Sequence, residues 1–471
     1  MRSFLGEIEK RVLIYDGSKG YVLQKFGLKA GECPESWNIT HSDVVRKIYS
    51  LYKEAGSDII QTNTFPGNGI YLERYGLRHM MYEINYHGAR LAREVMGKDG
   101  FVAGDIGPTG KLFEPSGELG FEEAYQVYRE QVKALEDGGV DVINFETFND
   151  IAEMRAALLA AKENSKLPVI CSLSFEQNGR TLMGTDPQTA VVILKTLGAD
   201  MVGTNCSFGA KYMLEIVKKM HEAGGGYLSV KPNAGLPEIV DGVAVYRETD
   251  EEFASTAVKF LQYGARLVGG CCGTTPGFIR ALRDKYDLIR ENLTGKDSMN
   301  DIVMFESIIA SSTCTLNLGN YENIRIGKLL PLPEEGDAAK DFLRRVKEGN
   351  MEIVEDIALD LATEGYDAIY ACMSIAGEDG KGSNNGVNAT DIGILARVVN
   401  LAQGYLKQPV IIETDSPGAL EKALRIYNGR AGVVHGKGKN RDKGMDKDFE
   451  LVTAKYGALV MEPGIVREIL V

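Results

Sequence analysis

Three cysteines are the residues of this chain whose type and spacing best suit chemistry. Cys206 lies in Thr-Asn-Cys-Ser-Phe-Gly, and Cys271 and Cys272 are adjacent in Gly-Gly-Cys-Cys-Gly-Thr-Thr-Pro. Both segments follow a short apolar run and continue with small residues that permit close backbone approach. Three thiolates at one point leave one position of a tetrahedral zinc open, as in a catalytic site. Cys206, Cys271 and Cys272 are therefore candidate zinc ligands and catalytic residues, and the alternative is that Cys206 is a small buried residue and the adjacent pair is structural.

The remaining cysteines have no comparable setting. The chain has seven cysteines among 471 residues, an odd number and too few for a disulfide framework. A free cysteine is most often a small buried residue. That interpretation applies to Cys33, Cys171, Cys314 and Cys372.

Composition limits the class of partner. The net charge is -13 and 44% of the residues are hydrophobic, so the chain has material for two ordinary domains or three small ones. It lacks the basic surface that attracts nucleic acids or anionic membranes. No run of about eighteen apolar residues occurs, and the amino terminus lacks the apolar stretch of a secretory signal. We expect a cytoplasmic protein that binds small molecules or proteins, with no nucleic acid or membrane partner.

Eight short apolar runs divide the first 300 residues, and most precede a segment with helical spacing. The runs are residues 12–15, 59–60, 101–103, 142–145, 169–173, 201–203, 227–230 and 267–269, and the helical segments include 42–55, 121–137, 150–164 and 250–263. Eight βα units predict an α/β fold of the (β/α)8 TIM barrel type, with its chemistry at the carboxyl ends of the strands. We assign this barrel to residues 1–295.

Polar residues follow most of these runs. Asp16 and Gly17 open the first loop, where backbone N–H groups are suited to a substrate carboxylate. Glu146 closes the fourth run and is suited to the amino group of an amino-acid substrate. Its alternative role is a cap or dipole partner of the helix that begins near Asp150.

The pattern changes after about residue 295, where the polar stretch 292–300 predicts a linker. Five further runs, at 324–326, 368–371, 410–412, 432–434 and 458–460, alternate with helical segments at 338–347, 351–364, 389–402, 418–426 and 446–456. Five units are too few for a closed barrel. Residues 301–471 therefore predict a smaller α/β domain, either a partial barrel completed by another copy or an open doubly wound sheet. Polar stretches at 377–388 and 436–447 predict mobile loops.

The first 300 residues resemble the homocysteine-binding domain of cobalamin-dependent methionine synthase and other homocysteine S-methyltransferases. The matching motifs, in chain order, are Asp-Gly at 16–17, Gln-Thr-Asn-Thr-Phe at 61–65, Gly-Asp-Ile-Gly-Pro-Thr-Gly at 104–110, Phe-Glu-Thr-Phe at 145–148, Gly-Thr-Asp-Pro at 184–187, Asn-Cys-Ser at 205–207, Lys-Pro-Asn-Ala-Gly at 231–235 and Gly-Gly-Cys-Cys-Gly-Thr-Thr-Pro at 269–276. The resemblance implies a zinc barrel that methylates homocysteine to methionine, with Cys206, Cys271 and Cys272 as the zinc ligands and Asn233 as a substrate contact. It also implies a small residue after Gly17, which Ser18 provides.

The proposed chemistry has a physical basis. Methyl transfer to sulfur needs a thiolate, and a free thiol with a pKa of about 8.5 is mostly protonated at neutral pH. Coordination to zinc deprotonates the thiol. Three protein thiolates keep such a site negative, so that the substrate sulfur remains nucleophilic.

The first loop departs from the family pattern. After the small residue the family has an apolar residue, a second Gly and a Thr, whereas this chain has Lys19 and Tyr21 around Gly20. Lys19 is either a solvated surface charge, which is the commoner case, or a cation that faces an acidic group on the substrate or a partner.

The second region more faintly resembles the pterin-binding barrel of methionine synthase, through residues 347–350 and 419–432. The opening Glu-Arg-x-Asn is missing near Gly327, and the Asp-Val-Asn is replaced around Ala371, although Glu413 stands near an acidic pterin-contacting position. No cobalamin-binding Asp-x-His-x-x-Gly occurs. The region is thus expected to be truncated and divergent, and a partner is expected to supply any corrinoid or folate.

Three functions remain open. The first is homocysteine methylation with an external donor, either a methylated corrinoid protein or the methyltetrahydrofolate pathway. The second is a binding or assembly component that docks a corrinoid protein or a reductase. The third is methylation of another thiol, or use of another donor such as S-methylmethionine or betaine. An incomplete second sheet would leave an edge that favours pairing, so a homo-oligomer is also expected.

Overall fold

The computed structural model describes residues 3–114, 116–240, 243–293, 305–319, 321–332, 335–373, 389–435, 443–468 and 470. The chain forms two compact units, residues 1–303 and 304–471, which we call the N-terminal and C-terminal units. Most of the predicted linker at 292–300 lies outside the described residues. Its first two residues belong to the last helix of the N-terminal unit.

The N-terminal unit is a closed barrel of parallel strands. Its strands are β1 (Leu13–Ile14), β2 (Ile59–Gln61), β3 (Phe101–Ile106), β4 (Val142–Phe148), β5 (Val169–Leu173), β6 (Met201–Gly209) and β7 (Leu228–Asn233), then a hairpin of β8 (Glu238–Val240) and β9 (Val243–Val245), and finally β10 (Ala265–Val268). The eight-stranded sheet has the order β1-β10-β7-β6-β5-β4-β3-β2, and a parallel bridge between Tyr15 and Ile59 joins its two ends. The predicted (β/α)8 barrel is confirmed.

Helices surround the barrel. They are α1 (Phe4–Ile8), α2 (Lys19–Lys25), α3 (Trp37–Thr40), α4 (Ser42–Glu54), α5 (Gly69–Glu73), α6 (Met81–Met96), α7 (Phe121–Gly138), α8 (Ile151–Asn164), α9 (Pro187–Thr196), α10 (Ala210–Glu222), α11 (Asp250–Ala257) and α12 (Pro276–Leu293). In α7, for example, Ala124, Tyr128, Val132 and Leu135 are buried at the three- and four-residue spacing of one helix face. The segment predicted as a helix at 250–263 is α-helical to Ala257 and continues as a 3-10 helix over Val258–Tyr263.

The two ends of the barrel differ in chemistry. At the amino ends of the strands, Phe4 and Ile8 of α1 pack in one apolar cluster with strand residues that include Ile59, Val142 and Leu267. Apolar packing at this end closes the barrel and supports its stability. The polar and thiol side chains are concentrated toward the carboxyl ends of the strands, and they form the site described below.

The C-terminal unit contains a sheet of five parallel strands in sequential order. The sheet strands are β13 (Ile326–Lys328), β14 (Ala368–Cys372), β15 (Val410–Thr414), β16 (Gly432–His435) and β17 (Leu459–Met461), and an antiparallel hairpin of β11 (Ile308–Ala310) and β12 (Thr315–Asn317) precedes them. The helices of this unit are α13 (Asp337–Lys347), α14 (Glu352–Thr363), α15 (Ala389–Tyr405), α16 (Pro417–Ile426), α17 (Lys443–Lys455) and α18 (Pro463–Glu468). In a barrel segment, strands that follow one another in the sequence are also neighbours in the sheet, as they are here. In a doubly wound sheet the strand order instead reverses at a switch point. Of the two predicted forms, the partial barrel therefore matches the described strands.

One face of this sheet is covered from within the unit. Ile309 of the hairpin and Val466 of α18 pack with Ile326, Tyr370 and Val434 of the sheet. The predicted loops at 377–388 and 436–447 lie mostly outside the described residues. The end of the second one was predicted wrongly, because α17 already begins at Lys443. Within the described part of the chain, no helix has the length and apolar character required to span a bilayer.

Candidate metal centre and substrate pocket

The sulfur atoms of Cys206, Cys271 and Cys272 lie within 4.8 Å of one another. The Sγ atoms of Cys206 and Cys272 are 3.8 Å apart. Tetrahedral zinc with Zn–S bonds of about 2.3 Å places its sulfur ligands about 3.8 Å apart. No other group of at least three His, Cys, Asp or Glu side chains in the described residues converges in this way.

An irregular end of β6 positions Cys206. The sequence predicts that this strand ends at Gly203, but it continues to Gly209 with a register shift against β7 between Asn205 and Gly209. Cys206 and Ser207 have φ angles of 64° and 58°, in the left-handed region that non-glycine residues rarely adopt. Such strain costs on the order of 1–3 kcal/mol per residue and is concentrated at functional sites.

Backbone contacts with the end of β7 position the adjacent cysteines. The Cys271 N–H donates to the Pro232 carbonyl at 2.8 Å. The Cys272 N–H donates to the side-chain oxygen of Asn233 at 3.0 Å. Asn233, predicted as a substrate contact, therefore helps to orient Cys272, a predicted zinc ligand. Gly273 follows with φ 79°, and a Cβ there would lie 2.3 Å from the Tyr246 ring.

The three thiols are protonated when no cation neutralises them. The hydrogen bond with Cys271 lowers the pKa of Cys206, but the hydrogen bond with Cys272 and burial outweigh it and raise that pKa to about 12. The hydrogen bond with Cys206, together with burial, raises the pKa of Cys271 well above its ordinary value. A divalent cation bound to all three sulfurs would reverse this preference, because coordination deprotonates thiols. The donor set and its spacing therefore fit zinc.

Two side chains outside the predicted set contact the thiols. Asn205 donates from Nδ2 to the Cys271 sulfur at 3.7 Å. Tyr246 follows β9, and its hydroxyl group forms a hydrogen bond with Cys272. Groups of this kind orient metal ligands and tune their charge.

Glu146 lies in a buried polar network at the carboxyl end of β4. Its Oε2 forms an ion pair with Lys231 and accepts hydrogen bonds from Gln61 Nε2 at 2.5 Å and Asn144 Nδ2 at 2.9 Å. Burial raises the pKa of Glu146, but the charge of Lys231 outweighs it and holds that pKa below its ordinary value. The alternative role as a helix cap is wrong, because Asp150 itself caps α8 by accepting from the Ala152 N–H.

Asp105 shares this network. It accepts from Asn144 at 2.8 Å and from Gln61 at 2.9 Å. Burial and the neighbouring Glu146 raise the pKa of Asp105 to about 8, so its carboxyl group holds a proton at neutral pH. The network thus contains one ionised and one protonated carboxyl group beside the Lys231 ammonium.

The first loop places Asp16 and Lys19 together. Asp16 is fully buried, and its Oδ2 accepts from Lys19 Nζ at 3.2 Å and from the Gln61 N–H at 3.1 Å. Burial raises the pKa of Asp16 to about 6, although Lys19 partly opposes the shift. Lys19 is only 8% exposed, so the prediction of a solvated surface charge is wrong.

Gly17 and Ser18 have local roles in the same loop. A Cβ at Gly17 would lie 2.6 Å from the Thr274 hydroxyl oxygen, so the close approach of the two loops requires glycine. Ser18 caps α2, because its hydroxyl accepts from the Tyr21 N–H at 3.3 Å.

The structure brings the predicted cysteines, Asp16, Glu146 and Asn233 to the same end of the barrel. Sequence reasoning missed the contributions of Gln61, Asp105, Asn144, Lys231 and Tyr246. For Gln61, Asp105 and Lys231 the available signal was their position, since polar residues at or near the carboxyl ends of otherwise apolar barrel strands have few structural reasons to be there. Asn144 lies in the first half of β4 and Tyr246 follows the hairpin strand β9, so neither carried that signal.

Comparisons with known proteins agree with this architecture. The family described as homocysteine S-methyltransferase matches residues 13–286. The chain is 28% identical over 482 residues to the methionine synthase of Mycobacterium tuberculosis (strain ATCC 25618 / H37Rv), covering 97% of this chain and 38% of that protein. The methionine synthase of Mycobacterium leprae (strain TN) is 27% identical over 480 residues with the same coverage. The chain thus spans about two fifths of the length of these curated relatives.

A solved structure shows the same fold. The metallated form of the homocysteine methyltransferase MmuM from Escherichia coli aligns with a TM-score of 0.50 at 21% identity, covering 58% of this chain and 96% of that one. The predicted resemblance is confirmed by the family match, which spans more than half of the sequence. This chain belongs to the homocysteine S-methyltransferase family.

Proposed function

We propose that the chain is a zinc-dependent methyltransferase that activates homocysteine as a thiolate and methylates it to methionine. The observation that carries the proposal is the convergence of three cysteine sulfurs within 4.8 Å at the active end of a (β/α)8 barrel. Three protein ligands leave a fourth tetrahedral position for a substrate thiol. Membership of the family supports homocysteine as that thiol.

Each group has a role in the proposed reaction. Cys206, Cys271 and Cys272 would hold the metal, and zinc bound there supplies the Lewis acidity that removes the thiol proton at neutral pH. Asp16 and Glu146 provide negative charge at the same end of the barrel for the substrate ammonium group. The homocysteine sulfur donates a lone pair to form the new S–CH3 bond, and the donor keeps the electron pair of the bond that breaks.

The donor is proposed to come from outside the chain, either as a methylated corrinoid protein or through the methyltetrahydrofolate pathway. Such a donor has to approach the carboxyl ends of the strands, and exposed apolar side chains follow several of these strands. Leu112 and Leu182, which are 54% and 66% exposed, follow β3 and β5, and Tyr212 in the first turn of α10 is 56% exposed. Assembly without catalysis, or methylation from S-methylmethionine or betaine, remain the competing functions.

The test is methyl transfer by the zinc-loaded full chain. Homocysteine is incubated with methylcobalamin, methyltetrahydrofolate, S-adenosylmethionine or S-methylmethionine in turn, and methionine is measured by mass spectrometry. We expect methionine from at least one donor, and a loss of at least roughly 100-fold in Cys272→Ser. Cys314→Ser is the matched control, because Cys314 lies in the C-terminal unit. A zinc-replete chain that neither binds nor methylates homocysteine would favour the assembly function.

A further inference from the structure

Lys19 is a buried cation at the active end of the barrel. Its ammonium group donates to Asp16 Oδ2 at 3.2 Å, within the part of the chain that the structure describes. Its positive charge also lowers the pKa values of Asp105 and Glu146, so it lies near both of these buried carboxyl groups. A lysine ammonium has three N–H donors, and one contact with Asp16 leaves capacity for a further anion.

The backbone donors of the first loop are partly consumed within the protein. The Ser18 N–H donates to the Thr274 hydroxyl at 3.2 Å, and the Tyr21 N–H donates to Ser18 Oγ at 3.3 Å. From the sequence, we expect N–H groups of this loop to bind a substrate carboxylate. With these two engaged, the nearby Lys19 ammonium is the better donor for a carboxylate.

Asp16 presents the complementary group. Its Oδ1 is buried and has no hydrogen-bond partner among the described residues. Leaving a buried acceptor unpaired is unfavourable, so a ligand that donates to it is favoured. Lys19 and Asp16 together therefore offer a cation and an unpaired carboxylate oxygen side by side, which matches the two charges of an α-amino acid.

We infer that Lys19 binds the α-carboxylate of the substrate and thereby restricts the site to thiols that carry an amino-acid head group. This inference rests on the proposed function and goes beyond it, because it assigns substrate selection to a residue at which the chain departs from the family pattern. Asp16 Oδ1 receives the α-ammonium group in the same complex.

The experiment compares two thiols that differ only in the carboxylate. Dissociation constants for L-homocysteine and 3-mercaptopropan-1-amine are measured by calorimetry with the zinc-loaded full chain. In Lys19→Met we expect homocysteine binding to weaken by roughly 10- to 100-fold, the range for a lost charge-assisted hydrogen bond, while the amine binds unchanged or more tightly. Lys19→Arg keeps the positive charge, so it should retain more of the affinity for homocysteine than Lys19→Met does. Lys25→Met is the matched control, because Lys25 is exposed at the end of the same helix.

The outcomes separate the inference from the function on which it rests. Equal weakening of both thiols in Lys19→Met would mean that Lys19 only holds Asp16 in place, and an unchanged affinity for homocysteine would mean that it does not bind the carboxylate. Either result overturns the inference while the proposed function stands. A wild-type chain that does not bind homocysteine contradicts both. If Lys19→Met fails to fold, Lys19→Gln provides the same comparison with a neutral donor.

Discussion

Lys231→Met removes one partner of a buried ion pair and leaves the other in place. The side chains of Lys231 and Glu146 are 1% and 9% exposed, and the Lys231 ammonium also lies 4.5 Å from the centre of the Tyr15 ring. Breaking a buried pair in this way costs about 3–5 kcal/mol. Glu146 retains hydrogen bonds from Gln61 and Asn144, so we expect the free energy of unfolding to fall by about 3 kcal/mol, at the lower end of that range.

The destabilisation should depend on pH with a defined sign. In the wild type Lys231 lowers the folded-state pKa of Glu146, so the contribution of the pair is present above the unfolded-state pKa of about 4.3 and is lost as the pH falls through the folded-state value. Without Lys231, burial would instead raise the folded-state pKa of Glu146. The cost of Lys231→Met should therefore be largest near about pH 8 and decrease toward about pH 5.

The assay uses the single tryptophan of the chain, Trp37, which is buried in the N-terminal unit and reports its unfolding in urea. Zinc is held at one concentration, because ligand binding adds to apparent stability. The double variant Lys231→Met/Glu146→Gln should recover about 2 kcal/mol relative to the sum of the single variants. Strictly additive effects, or a cost of Lys231→Met that is the same at both pH values, would show that the charges of Lys231 and Glu146 do not stabilise each other.

Three further outcomes are expected. Glu35 is buried and its pKa is raised to about 7, so its ionisation destabilises the fold as the pH rises from about 4.3 through 7. Glu35→Gln should therefore raise the free energy of unfolding by about 3 kcal/mol near pH 8 and by little near pH 4, measured by circular dichroism in urea. Gly273→Ala places a Cβ against Tyr246 at a positive φ and should lower zinc retention measured by elemental analysis, whereas Gly20→Ala, where the space is open, should not. Arg430 donates to main-chain carbonyls of β11 and of the segment before β17, and Arg430→Met should cost about 3 kcal/mol and accelerate amide hydrogen exchange in β11.

The barrel could be predicted because parallel strands are buried on both faces and appear as continuous apolar runs. All eight runs in the first 300 residues coincide with strands. The end of β6 could not be predicted, since Cys206 and Ser207 adopt a left-handed backbone that their residue types do not favour. Tertiary contacts with β7 decide that geometry.

The cysteines could be found from local motifs, whereas the charged network could not. Glu146 and Lys231 are 85 residues apart in sequence, and only closure of the barrel brings them together. Lys19 illustrates the same limit, because a lysine in the first turn of a short helix is usually solvated. Its burial depends on Asp16, which accepts from both Lys19 and the Gln61 N–H of the adjacent strand.

X-ray absorption at the zinc edge, combined with metal analysis, reports directly on the proposed three-cysteine metal centre. We expect about one zinc per chain with three sulfur ligands, a fourth sulfur on addition of homocysteine, and loss of the metal in Cys206→Ser, Cys271→Ser and Cys272→Ser. Zinc that remains at about one per chain in these variants, or a metal bound only by nitrogen and oxygen ligands, would contradict the three-cysteine zinc site.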